Sequence, residues 1–107
     1  MDDLDIMMFS DLTALKSQNS GLKTIVAVGG WTFNDNDTVT QPVYSAMVST
    51  AANRATFIGN LLIFLLEYAF DGVDFDWEYP GAPNRGGHPD DGINFTEFLK
   101  ELRDAIS

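Results

Sequence analysis

Apolar residues follow two different spacings along the chain. Residues 23–31 carry a β-branched run, Ile25-Val26-Ala27-Val28, closed by Gly29 and Gly30. That pattern predicts a strand apolar on both faces, as in a parallel sheet. Residues 73–79 alternate strictly, with Val73, Phe75 and Trp77 set against Asp74, Asp76 and Glu78, which predicts a second strand. Helical spacing appears three times. Over residues 11–19, Leu12 and Leu15 share a face, Ser10 or Asp11 can cap the start and Gly21 stops the run. From Ser49 or Thr50 to about residue 69, a wide stripe of Phe57, Ile58, Leu61, Leu62, Leu65 and Leu66 predicts a helix buried against a sheet. After Asn94, a candidate cap, Phe95, Phe98, Leu99, Leu102 and Ile106 face one way. Segments 32–44 and 80–92, rich in Asn, Asp, Gly and Pro, read as loops. Residues 6–9 are apolar but too few to assign.

The resulting order is helix, strand, helix, strand, helix, with no hairpin signal between the strands. Strands separated by helices imply right-handed βαβ units and a parallel sheet, hence an α/β fold. The 107 residues suit one domain. The net charge of −10 argues against nucleic acid, whose phosphates need a basic patch, and against an anionic membrane surface. A neutral substrate such as a sugar is compatible. With no cysteine, disulfides, thiolate catalysis and thiol zinc sites drop out. The longest apolar run, residues 61–66, cannot span a bilayer. The acidic start Met1-Asp2-Asp3-Leu4-Asp5 lacks the basic-then-apolar order of a signal peptide.

Alternation puts Asp74, Asp76 and Glu78 on one face of their strand, about 7 Å apart per step, with Val73, Phe75 and Trp77 turned to a covering helix. Crowded, buried carboxylates raise at least one pKa. A carboxyl kept protonated near neutrality can give a proton to a leaving oxygen. Glu78 is nearest the C-terminal end, where parallel-sheet sites open. Two other readings of the same acids are a face turned to solvent and a site for a hard cation such as calcium or magnesium.

The segment Asp71-Gly72-Val73-Asp74-Phe75-Asp76-Trp77-Glu78 resembles the active-site signature of glycoside hydrolase family 18, DGxDxDWE, at every defined position. Residues 27–31, Ala-Val-Gly-Gly-Trp, resemble the family's SxGG strand motif, with Ala27 where serine is usual. Residues 31–35, 49–57 and Asn84-Arg85-Gly86-Gly87-His88 look most like fungal chitinases of the killer-toxin type. The resemblance covers nearly the whole chain. It implies a partial catalytic domain over residues 1–107, a fragment of a (β/α)8 barrel holding about the third and fourth βα units. A full barrel takes about 250 residues, so the remaining barrel strands of a parent chain are an implied partner. The parent would be a secreted enzyme, with any secretion signal upstream of Met1.

By the same resemblance the substrate is chitin or a chitooligosaccharide, cleaved by endo-type hydrolysis of β-1,4 links between N-acetylglucosamine units. Glu78 would be general acid and base. The substrate's own acetamide would act as nucleophile, with Asp76 stabilising it and Asp74 sharing a proton with Asp76. No cofactor and no metal are implied. Trp31, Phe33 and Tyr79, at or after strand ends, could stack on sugar rings together with Gly30, although packing competes for Phe33 and Tyr79. Trp77 reads as core, Asp71 as a turn residue, and His88 has no partner histidine for a metal. Asn36-Asp37-Thr38 and Asn94-Phe95-Thr96 fit the glycosylation triplet. A chitin-binding lectin on the same fold would normally lack the acid that Glu78 supplies. Half a barrel exposes sheet edges, so the isolated chain is expected to be inert.

Overall fold

The computed structural model describes residues 3–106; Met1 and Asp2 of the acidic N-terminal stretch lie outside them, as does Ser107. The elements are α1 (Asp3–Ala14), β1 (Ile25–Gly29), α2 (Val43–Val48), α3 (Ala51–Glu67), β2 (Gly72–Asp76) and α4 (Asp91–Ile106), with short 3-10 turns at Leu15–Ser17, Trp31–Asn34 and Pro83–Arg85.

β1 and β2 pair in parallel, with Ala27 opposite Asp74, Val28 opposite Phe75 and Gly29 opposite Asp76. Alternation therefore sorts both strands at once. Val26, Val28, Val73 and Phe75 turn to a layer of helices, while Ile25, Ala27, Asp74 and Asp76 are exposed on the other face. Phe75 sits against Phe57 of α3 and against Phe95 and Phe98 of α4. Trp77, just past β2, stacks on Tyr44 of α2 with ring centroids 5.0 Å apart. One sheet face is thus covered by three helices and the other is open.

Local sequence explains the boundaries. Thr50 caps α3, its side chain accepting a hydrogen bond from the Asn53 N–H at 3.0 Å, as the sequence suggests. At the other end Ala69 takes a left-handed φ of 59°. The Ala69 N–H then reaches the Leu66 carbonyl and the Phe70 N–H the Leu65 carbonyl. This is a Schellman ending with alanine where glycine is common. The first helix departs from expectation: it spans Asp3–Ala14 rather than residues 11–19 and takes in the unassigned run 6–9. It docks through Phe9 onto Phe64, Tyr68 and Phe70. The expected loop 32–44 holds a 3-10 turn and the start of α2, whose Tyr44, Met47 and Val48 are buried. The last helix starts at Asp91 rather than at Asn94. Asp91 is 1% exposed, and its carboxylate accepts from Ser45 Oγ and from the N–H groups of Gly81 and His88. The Gly81 and His88 bonds pin the preceding loop to the helix start, and the Ser45 bond ties it to α2. Leu66, read as part of the buried stripe, is 83% exposed, because none of the described residues covers that flank of α3.

Candidate active site

Both strands end at the same level, and the segments leaving their C-terminal ends meet there. β2 stops at Asp76, so Glu78 lies two residues beyond the strand instead of inside it. The second strand is shorter than the alternation of residues 73–79 suggests, since Gly30 takes the last ladder bond, donating its N–H to the Asp76 carbonyl at 2.9 Å. The peptide joining Glu78 to Tyr79 is cis. Asp74 and Asp76 share the open face and are exposed, and Glu78 is half-buried. Among the described residues no element covers that side of the sheet, so the three acids are not enclosed as the expected burial of the carboxylates implies.

The Glu78 carboxyl is raised above its ordinary value, first by its side-chain contact with Asp76, then by partial burial and by the Asp76 charge; the Arg85 charge and the neighbouring Tyr79 oppose the rise. The sign follows from which form gains: a protonated Glu78 can donate to Asp76, whereas two adjacent anions repel. Asp76→Asn is therefore expected to move the Glu78 titration midpoint down toward that of an ordinary glutamate. Carbon-detected NMR titration of the Glu78 carboxyl reads this directly, and an unmoved midpoint would show that Asp76 is not the cause.

Tyr44 lies on the helix side of the acids. Its hydroxyl donates to the Val28 carbonyl at 2.5 Å, and its pKa is pushed up to about 12, first by burial and then by the charges of Asp76 and Asp74. At the opposite end of the strands, Asp71 accepts from the Thr24 N–H at 2.8 Å and pairs with Lys16 at 3.2 Å. The Thr24 bond and the Lys16 contact hold its carboxyl below the usual range. Asp71 is thus a structural tie, as read from its turn position.

Of the four candidate sugar-contacting residues, Trp31 and Tyr79 are half-exposed and meet edge to face at 6.2 Å. Gly30 has φ 117°, and a Cβ there would lie 3.9 Å from Asp76 Oδ2. Phe33 instead packs against Tyr44 at 5.3 Å, turned to the core. His88 engages its own loop, its Nδ1 accepting from the Asp90 N–H. Among the described residues no group of three His, Cys, Asp or Glu side chains is arranged to hold a metal ion, so the hard-cation reading of the acids finds no support in their geometry.

Sequence reasoning missed Asn34 and Arg85. Asn34 is 1% exposed, and its Oδ1 accepts from the Glu78 N–H at 3.4 Å. Arg85 donates through Nε to the Glu78 carbonyl at 2.7 Å, through Nη1 to Asp35 at 3.2 Å and through Nη2 to the Trp31 carbonyl. A signal for Arg85 was present: it is the sole cation between Arg54 and Lys100, in the loop that follows the acids.

A parallel βα arrangement with carboxyl groups at the C-terminal ends of its strands fits an open α/β sheet or an α/β barrel, both of which open their sites at that end. Residues 1–107 match the family model described as glycosyl hydrolases family 18, and the chain belongs to that family. It is 44% identical over 102 residues to a chitotriosidase of Mus musculus, covering 95% of this chain and 20% of that protein. It is 40% identical over 104 residues to the killer toxin alpha/beta subunits of Kluyveromyces lactis, covering 94% of this chain and 9% of that protein. A group IV chitinase of Ostrinia furnacalis, solved with allosamidin, superposes with a TM-score of 0.80 at 41% identity, covering 96% of this chain and 26% of that one. The chain thus spans about a fifth of the mouse protein's length, and the fold is a segment of the (β/α)8 barrel.

Proposed function

We propose that the chain is the catalytic segment of a chitin-hydrolysing enzyme and works as part of a complete barrel. Glu78 protonates the glycosidic oxygen between two N-acetylglucosamine units. The substrate's 2-acetamido carbonyl attacks the anomeric carbon and forms an oxazolinium with retention. Asp76 accepts the acetamide N–H and steadies the developing positive charge. Asp74, deeper along the strand, shares a proton with Asp76. Glu78 then takes a proton from the attacking water. Trp31 and Tyr79 offer sugar-stacking faces beside the acid, with Gly30 allowing close approach. The parent enzyme is endo-acting and secreted.

The placement of Glu78 beside Asp76, just past the C-terminal end of β2, carries this reading, and the upward shift that Asp76 causes favours the protonated carboxyl there. The names of the relatives support the substrate class. The narrower kinship with killer-toxin-type fungal chitinases rests on Asn84-Arg85-Gly86-Gly87-His88 and on the K. lactis similarity, although mouse and insect relatives match as well.

Comparing chitooligosaccharides with their deacetylated counterparts tests the mechanism. The expected result is hydrolysis of the acetylated chains alone. Equal rates on both would remove substrate assistance, and no hydrolysis of either by the complete barrel would remove the function. A second reading, an inert fragment when the chain stands alone, is favoured by the open sheet face with Ile25 58% exposed.

A further inference from the structure

The backbone of Glu78 lies outside the strand ladder, and two side chains from different segments hold it. Asn34, in the turn after β1, accepts from its N–H at 3.4 Å. Arg85, in the turn after β2, donates to its carbonyl at 2.7 Å. The same guanidinium pairs with Asp35, bonds the Trp31 carbonyl and lies over the Trp31 ring, 3.6 Å from its centroid. The Arg85 side chain is only 10% exposed. One planar fork thus uses both edges and a face to fix the residue bearing the carboxyl and the residue bearing the aromatic surface. Lysine, with a single point charge, cannot make this set of contacts. From this geometry we infer that Arg85 is a positioning residue that locks the proton donor Glu78 in register with the Trp31 platform. The inference rests on the proposed role of Glu78 as proton donor.

Catalysis is sensitive to small displacements of the acid, and a shift on the order of 1 Å costs about 100-fold. In the complete barrel, Arg85→Ala is expected to lower kcat on chitooligosaccharides by roughly 10- to 100-fold, a larger factor than any change in KM. Arg85→Lys, which keeps the charge and loses the fork, should not restore kcat, whereas guanidinium added to the Arg85→Ala protein should restore part of it. Melting temperatures and circular dichroism report folding for each variant. If Arg85→Ala does not fold, Arg85→Lys decides: wild-type kcat overturns the inference, and a tenfold or larger loss at unchanged melting temperature supports it. Loss of folding in both variants also overturns it, making the tie purely structural. Glu78→Gln separates the two levels. An active Glu78→Gln protein defeats the assignment of the acid. An inactive one beside fully active Arg85 variants defeats only the role of Arg85.

Discussion

Replacing Glu78 by glutamine is expected to lower kcat on chitooligosaccharides by about 10²- to 10⁴-fold in the complete barrel, the span that general acid–base catalysis contributes. The change is nearly isosteric. A glutamine amide can donate to Asp76, so the side-chain contact of the pair can be kept. Both backbone ties of residue 78, to Asn34 and to Arg85, are untouched. The variant should therefore fold normally and bind substrate with little change, having lost only the proton it must deliver. Steady-state kinetics and a direct binding measurement check the two halves separately. Turnover within a few-fold of the parent would remove Glu78 from the chemistry whatever the binding result.

Legibility in the sequence tracked the distance over which each feature is specified. The strands themselves were local: the β-branched run Ile25 to Val28 and the two-residue alternation after Gly72 each mark an extended segment, whereas their parallel pairing, Ile25 with Gly72, followed from the helix between them. The Thr50 cap was equally local. The first helix was placed too late in the chain although Leu4, Met7, Met8, Leu12 and Leu15 stand at helical spacing. That stripe is exposed, while Phe9, on another face, packs against α3 and the segment after it. The second helix, Val43–Val48, is too short for a periodic signal, although Tyr44, Met47 and Val48 stand at helical spacing. Asp74, Asp76 and Glu78 were singled out by the alternation of residues 73–79 and by the resemblance to the family signature. Their surroundings were not, since Arg85 reaches Asp35 and Trp31 across about 50 positions, contacts that no local window contains. The expectation of an enclosed cleft came from the whole barrel, and this chain supplies only the wall that carries the acids.

Gly29 joins the fold to the site, and Gly29→Ala is expected to be strongly destabilising. Gly29 has φ 100°, a backbone that side chains rarely adopt. A Cβ built there would lie 2.4 Å from the Asp76 carbonyl oxygen and 2.6 Å from the Tyr44 hydroxyl oxygen. Both atoms are already committed, the carbonyl to the Gly30 N–H and the hydroxyl to the Val28 carbonyl. Neither can retreat without parting the strand ends or lifting Tyr44 from Trp77. Backbone strain of about 1–3 kcal/mol and overpacking of about 1–3 kcal/mol together give a loss of roughly 3 kcal/mol, measured as a lower urea midpoint of the complete barrel. Gly59→Ala is the matched control. Gly59 lies within α3, and a Cβ there meets nothing within 4 Å, so alanine's helix preference should stabilise by up to about 1 kcal/mol. Opposite signs from one chemical change would locate the constraint in the contact between the strand ends. If Gly29→Ala kept the parent midpoint, that close approach, and the placement of Asp76 that depends on it, would be wrong.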